Sequence, residues 1–369
     1  MGLFGSFNIF SEGGATGGSA FPAWETNNLD GSIYLACADA YYDIPVTQSV
    51  SSFGNQAGNK SRGGVLAPNG NIYCIPEQSG NLYKIVPSTD TYSNVGSVGY
   101  RYAGGALAPN GKIYACPFHT TPNILKIDPA TDTFSTFGTV SQPGDGWWGA
   151  VLAENGLIYC IPHDAQNVLV IDPNDDTVST FTTADIGAGA NKWAGGCLAP
   201  NGKIYCAPWD AQDILVIDPS NNTTELIVLG TEGVGTTKWT GSVLAENGYI
   251  YMIPYNTTKA LKVNPTNNTF SVFSGASGSG NNYAGCLGPD GKIYSPPHGN
   301  TSVLVINPDN DTMSTFGTFS NQYQRGATLA LNGSIYGIPW LSTSVAKILN
   351  PQSFNLDSNG PLSRYQNKI

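Results

Sequence analysis

Charge is what this chain has least of: 16 Lys and Arg against 26 Asp and Glu, 11% of 369 residues, for a net charge of -10. Phosphate backbones are held by clustered Lys and Arg, so the balance argues against nucleic acid as a partner. No apolar run is long enough to span a membrane. The start, Met1 to Phe10, lacks the basic region and the apolar length of a secretion signal. Met1-Gly2 with Ser6 meets only the loose myristoylation pattern. No P-loop, nucleophile elbow, Gly-x-Gly-x-x-Gly helix entry or HExxH is present, so no motif of that kind points to an enzyme. Disorder is equally out of place, because aromatics reach 11% while charge is low.

What the chain does have is a repeat. A Gly follows Asn or Asp and precedes x-Ile-Tyr at Gly70, Gly111, Gly156, Gly202, Gly248, Gly291 and Gly333, at spacings of 41, 45, 46, 46, 43 and 42 residues. That period is the length of a four-stranded propeller blade. In the fourth unit Trp193 to Ala199 reads as strand A, Pro200-Asn201-Gly202-Lys203 as a tight turn, and Ile204 to Pro208 as strand B. Ile214 to Asp218 follows as an apolar strand C, ended by Pro219, and a polar turn leads to strand D. Asp-Pro or Asn-Pro closes strand C at Asp128, Asp172, Asp218, Asn264, Asn307 and Asn350. These Asx turns lack the alternating carboxylates of a calcium loop and read as turn chemistry.

The expected architecture is all-β: a seven-bladed propeller of four-stranded antiparallel blades, with the segment near Ser49 to Phe53 completing the last blade so that no edge strand is left bare. Eight blades, counting residues 20 to 54 as a shortened unit, is the alternative. The chain divides into a Gly-rich arm (1–30), a partial repeat with the closing strand (31–60), the repeats (61–350) and a tail (351–369).

Seven cysteines follow the repeat: Cys74, Cys160 and Cys206 directly after Ile-Tyr, Cys116 one place later and Cys37 two, Cys197 and Cys286 in strand A. They read as small apolar core residues, which suits a reducing compartment. Cys197 and Cys206 are the one pair a hairpin suggests for a bridge.

Residues that open strand A and those that close strand B share one face of the disc, and unusual side chains gather there. The candidate ligand-binding face comprises Arg101, Tyr102, Trp147, Trp148, Lys192, Trp193, Lys238, Trp239, Tyr283 and Arg325 from strand A, with Arg62 in the first unit. From the loop after strand B come His163, Trp209, Tyr255, His298 and Trp340, with Phe118-His119 at the same place. Aromatic rings beside single cations suit sugars and other polar ligands. Wedge packing between blades is the competing role for each large ring. Of the three histidines, His119 and His163-Asp164 form the one cluster to weigh as a metal site; the expectation is no metal, no cofactor and no catalytic residue.

The unit Leu-Ala-Pro-Asn-Gly-x-Ile-Tyr-x-x-Pro, followed by Val-Leu-Val-Ile-Asp-Pro, resembles the NHL/YVTN and virginiamycin B lyase-like class of propeller repeats over residues 61 to 350. Lyases of that class use a loop His with a divalent metal on one face, and the resemblance implies His163 or His298 at such a site. The Asn, Gly, Thr and Tyr content with few charges is similar in style to virus and bacteriophage structural proteins. Three functions stand as expectations. The first is a non-enzymatic virion or appendage protein, held to neighbouring subunits by its terminal arms and binding a host glycan or receptor. The second is a metal-assisted propeller lyase or hydrolase, and the third a secreted lectin-like scaffold.

Overall fold

The computed structural model describes residues 48–55, 60–78, 80–141, 144–275, 281–319 and 323–349. The Gly-rich arm, the repeat-like Asp30 to Cys37, Met1-Gly2 and the tail all lie outside the described residues. What is described forms seven four-stranded antiparallel sheets arranged in a ring, with one short 3-10 turn, Gly230–Gly233. Blade 3 is representative: strands A to D are Trp147–Leu152, Ile158–Pro162, Val168–Asp172 and Thr177–Phe181. Blade 7 takes A, B and C from Gln324–Leu329, Ile335–Pro339 and Val345–Leu349, and its strand D from Ser49–Phe53, in register from Ser49 opposite Leu349 to Phe53 opposite Val345. The closing strand is therefore the outer edge of the seventh blade, and the eight-blade count falls.

Innermost A strands of neighbouring blades pack on one another, blade 7 on blade 1 included. Small side chains make this approach possible. Each A strand also carries a bulge: in blade 3 the register shifts between Trp147 and Ala150, and Gly149 sits at φ 102°. The same left-handed position is Gly63, Gly104, Gly195, Gly241 and Gly326 in other blades, and Ala284 at φ 60° in blade 6. A bulge adds one residue and re-aims its neighbour, which matters for the site.

Between blades the core is a wedge of apolar side chains. Strand alternation sends Tyr114 and Cys116 of blade 2 forward, onto Ile158, Cys160 and Ile171 of blade 3. Repeat tyrosines then hook the next blade, except Tyr294, which donates to Asp290 of its own turn at 2.8 Å and accepts from Gln48 Nε2 at 2.8 Å. Tyr205 donates its hydroxyl to Asn268 Oδ1 at 2.7 Å, Asn201 Nδ2 donates to the Pro265 carbonyl at 2.8 Å, and Asn268 holds φ 56° in the C-to-D turn. Tyr114 to Asp176, Tyr159 to Asn222, Tyr251 to Asp311 and Tyr336 to Asp90 repeat the contact, the last across the ring closure. Asn-Gly turns and Asx-Pro turns are thus two halves of one interblade latch.

One expectation needs correction. Cys116 and Cys160, 44 residues apart with Cα atoms at 5.9 Å, form a disulfide joining the B strands of blades 2 and 3. The one-place offset of Cys116 within its repeat turns it toward the next blade, where Cys160 faces back. Cys197 and Cys206 remain thiols. Cys197 stands opposite Tyr205, one step from Cys206, so the two point to opposite faces of their sheet. Structural disulfides persist in oxidising surroundings, which runs against the reducing compartment expected from the cysteine pattern.

Candidate functional site

Three consecutive positions at the start of each A strand have different fates. The first lies at the rim: its carbonyl accepts the N–H of the residue after the strand B proline, as Lys192 does for Trp209 and Lys238 for Tyr255. The second pairs with that proline and fills the interblade wedge. The third belongs to the bulge and turns to the axis. One residue of shift exchanges these roles, because side chains alternate along a strand.

The wedge position holds Tyr102, Trp147, Trp193 and Trp239, opposite Pro117, Pro162, Pro208 and Pro254. All four rings are buried, and the three indole N–H groups donate to the Asn167, Asp213 and Lys259 carbonyls at 2.8–2.9 Å. These candidates are packing residues, with no ring face left for a ligand. Rim residues Lys192 and Lys238 turn their ammonium groups to loop carbonyls. Lys238 Nζ donates to three carbonyls, of Trp209, Ala211 and Gly235. Lys192 Nζ donates to Gly189 O, and burial pushes its ammonium down to about 8.

The axial position holds Arg62, Ala103, Trp148, Ala194, Thr240, Tyr283 and Arg325 in blades 1 to 7. Trp148 of blade 3 stacks on Tyr283 of blade 6 with ring centroids 5.5 Å apart, which two non-adjacent blades achieve only at the axis. The Arg62 guanidinium lies 3.9 Å from the Trp148 ring and 4.4 Å from Phe118; that of Arg325 lies 3.4 Å from Trp340 and 4.8 Å from Tyr283.

A second ring comes from the residue after each strand B proline: Glu77, Phe118, His163, Trp209, Tyr255, His298 and Trp340. Glu77 is the acid of the cluster. It pairs with Arg62 and receives both oxygens' bonds from Arg325 Nη1 at 2.9 Å. His163 and His298 each turn Nδ1 to a main-chain carbonyl, of Trp193 at 2.8 Å and Gln324 at 3.1 Å, and pack on Trp148 and Tyr283. Burial first, then the nearby arginines, depress both imidazoles; His298 falls to about 3. Burial likewise lifts the Tyr283 phenol to about 12. Both histidines are therefore neutral, with Nδ1 carrying the proton.

The cluster has a buried floor, formed by Arg62, Glu77, Trp148 and Tyr283, and a half-buried upper layer of Trp209, Tyr255 and Trp340. Tyr323, 41% exposed, stands beside Trp340. Eight candidates are thus brought together: Trp148, His163, Trp209, Tyr255, Tyr283, His298, Arg325 and Trp340. Arg62 and Phe118 join them from the positions noted in the sequence. Glu77 and Tyr323 were missed. Glu77 had a signal, since it follows Pro76 where the other blades place an aromatic or His.

His119 does not join His163. Its Nδ1 meets Asp145 Oδ1 at 3.1 Å on the outer rim, while Asp164 accepts the Asp145 and Asn191 main-chain N–H groups. Among the described residues no three His, Cys, Asp or Glu side chains converge as metal ligands. Two arginines at the axis would also repel a cation there.

No protein-family model matches this chain, and no curated protein does. Solved structures do match in fold. A streptogramin B lyase has a TM-score of 0.70 at 15% identity, covering 82% of this chain and 97% of its own. Catalytically inactive virginiamycin B lyase from Staphylococcus aureus, with quinupristin, also reaches 0.70, at 10% identity over 82% and 100% of the two chains. Kuenenia stuttgartiensis hydrazine synthase reaches 0.62 at 11% identity, over 81% and 98%. Likeness at this level of identity concerns architecture: the chain has the seven-bladed propeller fold of the virginiamycin B lyase-like structures.

Proposed function

We propose that the protein is a non-enzymatic binding propeller that takes a sugar ring on its axial aromatic face. The observation that carries this reading is the half-buried set of Trp209, Tyr255 and Trp340 beside a buried floor. Such rings present flat apolar area at low entropic cost, and the polar groups between them fix orientation. The two buried histidines each hold Nδ1 on a main-chain carbonyl, and among the described residues no set of three His, Cys, Asp or Glu side chains gathers around either one to give the metal-assisted chemistry that the lyase resemblance implies its ligands. A second reading, display on a virion, rests only on the Asn-, Gly-, Thr- and Tyr-rich, charge-poor composition, with the arm 1–30 and the tail 351–369 attached to neighbouring subunits; electron microscopy of the native assembly tests that part.

Glycan-array binding of the full chain, repeated with Trp209→Ala and Trp340→Ala, tests the face. Binding that drops tenfold or more in both variants at unchanged melting temperature is expected. Undiminished binding in both would remove the face from consideration.

A further inference from the structure

Donors outnumber acceptors at the axis. Among the described residues, Nε and Nη1 of Arg62, Nε of Arg325, the indole N–H groups of Trp148 and Trp340 and the Tyr283 hydroxyl are buried without a hydrogen-bond partner. Glu77 is the one carboxylate beside them, and both guanidinium groups share it. Otherwise the guanidinium groups meet ring faces, which attract a cation but offer no lone pair in the guanidinium plane. Two arginines and one glutamate, with neutral imidazoles around them, leave the centre one unit positive in a chain of net charge -10. Buried unpaired donors are uncommon in folded proteins, and this many at one point suits a group that brings acceptors and negative charge. Arginine's planar fork matches a carboxylate.

We infer that the ligand of this face is an acidic sugar, its carboxylate seated between Arg62 and Arg325 once the Trp340 ring turns outward. The inference rests on the sugar-binding reading above. Trp340 is the element able to move, since it is half-buried and covers Arg325 at 3.4 Å, while Trp148 on the other side is locked in the floor. The sugar ring then lies on Trp209 and Tyr255, and the carboxylate accepts from Arg325 Nε and Arg62 Nη1.

Calorimetric titration of the full chain with methyl β-glucuronide and methyl β-glucoside, which differ at the carboxylate, tests this. The glucuronide is expected to bind at least tenfold more tightly. Arg325→Gln should bring the two within about twofold, and Arg62→Gln serves if that variant melts early. Glu77→Gln releases both guanidinium groups to the ligand and should strengthen glucuronide binding several-fold without changing glucoside binding, an effect opposite to that of a purely structural residue. Equal affinity for both glycosides overturns the acidic-sugar inference and leaves the binding face standing. Displacement of glucuronide by equimolar inorganic phosphate also overturns it, in favour of an unselective anion site. Binding of neither glycoside overturns both readings.

Discussion

Glu77 and Arg325, 248 residues apart in the chain, form a bidentate ion pair at 2.9 Å across the boundary where blade 7 meets blade 1. The pair sits where the circle closes, so a charge cluster at the axis is tied to the seam of the fold. Both side chains are largely buried, at 9% and 12% exposure. Replacing Glu77 by Ala leaves two guanidinium groups facing each other with no counter-charge, and removing one partner of such a pair costs about 3–5 kcal/mol. Urea denaturation should show that loss, with Arg325→Ala losing less because Arg62 still neutralises Glu77.

Trp193 and Trp209 look alike in the sequence and should behave in opposite ways. Trp193→Ala empties an interblade wedge and breaks the indole bond to Asp213 O, so stability should fall by about 3–5 kcal/mol. Trp209→Ala trims a half-buried ring on the face; melting should change little while sugar binding is lost. A thermal melt with a binding assay on each variant separates them.

Acid should weaken the fold through His298. Its folded pKa, about 3, lies below its ordinary 6.5, because burial and then Arg325 disfavour the imidazolium. The unfolded chain therefore takes up a proton that the folded chain refuses. The stability contributed is present above pH 6.5 and is lost as pH falls toward 3. Urea midpoints measured from pH 7 to 5 should decline, and His298→Asn should flatten part of the decline; an unchanged slope would contradict a neutral buried His298.

Reducing agent should lower stability. A bridge closing 44 residues restricts the unfolded chain by about 4 kcal/mol in the loop-entropy account. Cys116→Ala with Cys160→Ala should reproduce that loss and remove its dependence on reductant. Peptide mapping without reduction should recover the two strand B peptides linked.

Ala284 occupies the left-handed bulge that six blades give to glycine, at φ 60°. Ala284→Gly should raise stability by about 0.5–1 kcal/mol, the relief of the Cβ clash exceeding the added chain entropy. The melting temperature reads this directly.

The repeated Asn-Gly-x-Ile-Tyr phrase made the blades legible, because tight turns and strand alternation are short-range properties that residue type nearly dictates. The closing strand was legible for a related reason: a ring leaves one unpaired edge, and Ser49 to Phe53 was the segment available. Trp147-Trp148 and Lys192-Trp193 mark the limit of what residue type determines. Both pairs look like two large residues opening strand A, yet they are offset by one place, so Trp148 reaches the axis while Trp193 enters a wedge. Cys116 stands one place late in its repeat, and what that offset does, turning the thiol toward Cys160 of the next blade, depends on the neighbouring sheet.

Local chemistry along the chain was enough to set the blade repeat and its strand order, since each depends on neighbours within one repeat, while the choice of seven blades over eight and the bonds of the Ile-Tyr tyrosines to the next blade were decided by the closed ring. The axial cluster is of another kind. Arg62, Trp148, Tyr283 and Arg325 come from blades 1, 3, 6 and 7, and they meet because a bulge in each A strand turns one side chain inward at the centre of a closed ring. Glu77 and the Cys116–Cys160 bridge depend on the same thing, contact between separate blades. Only the packed circle brings such residues within reach, because the energies that select those contacts act through space.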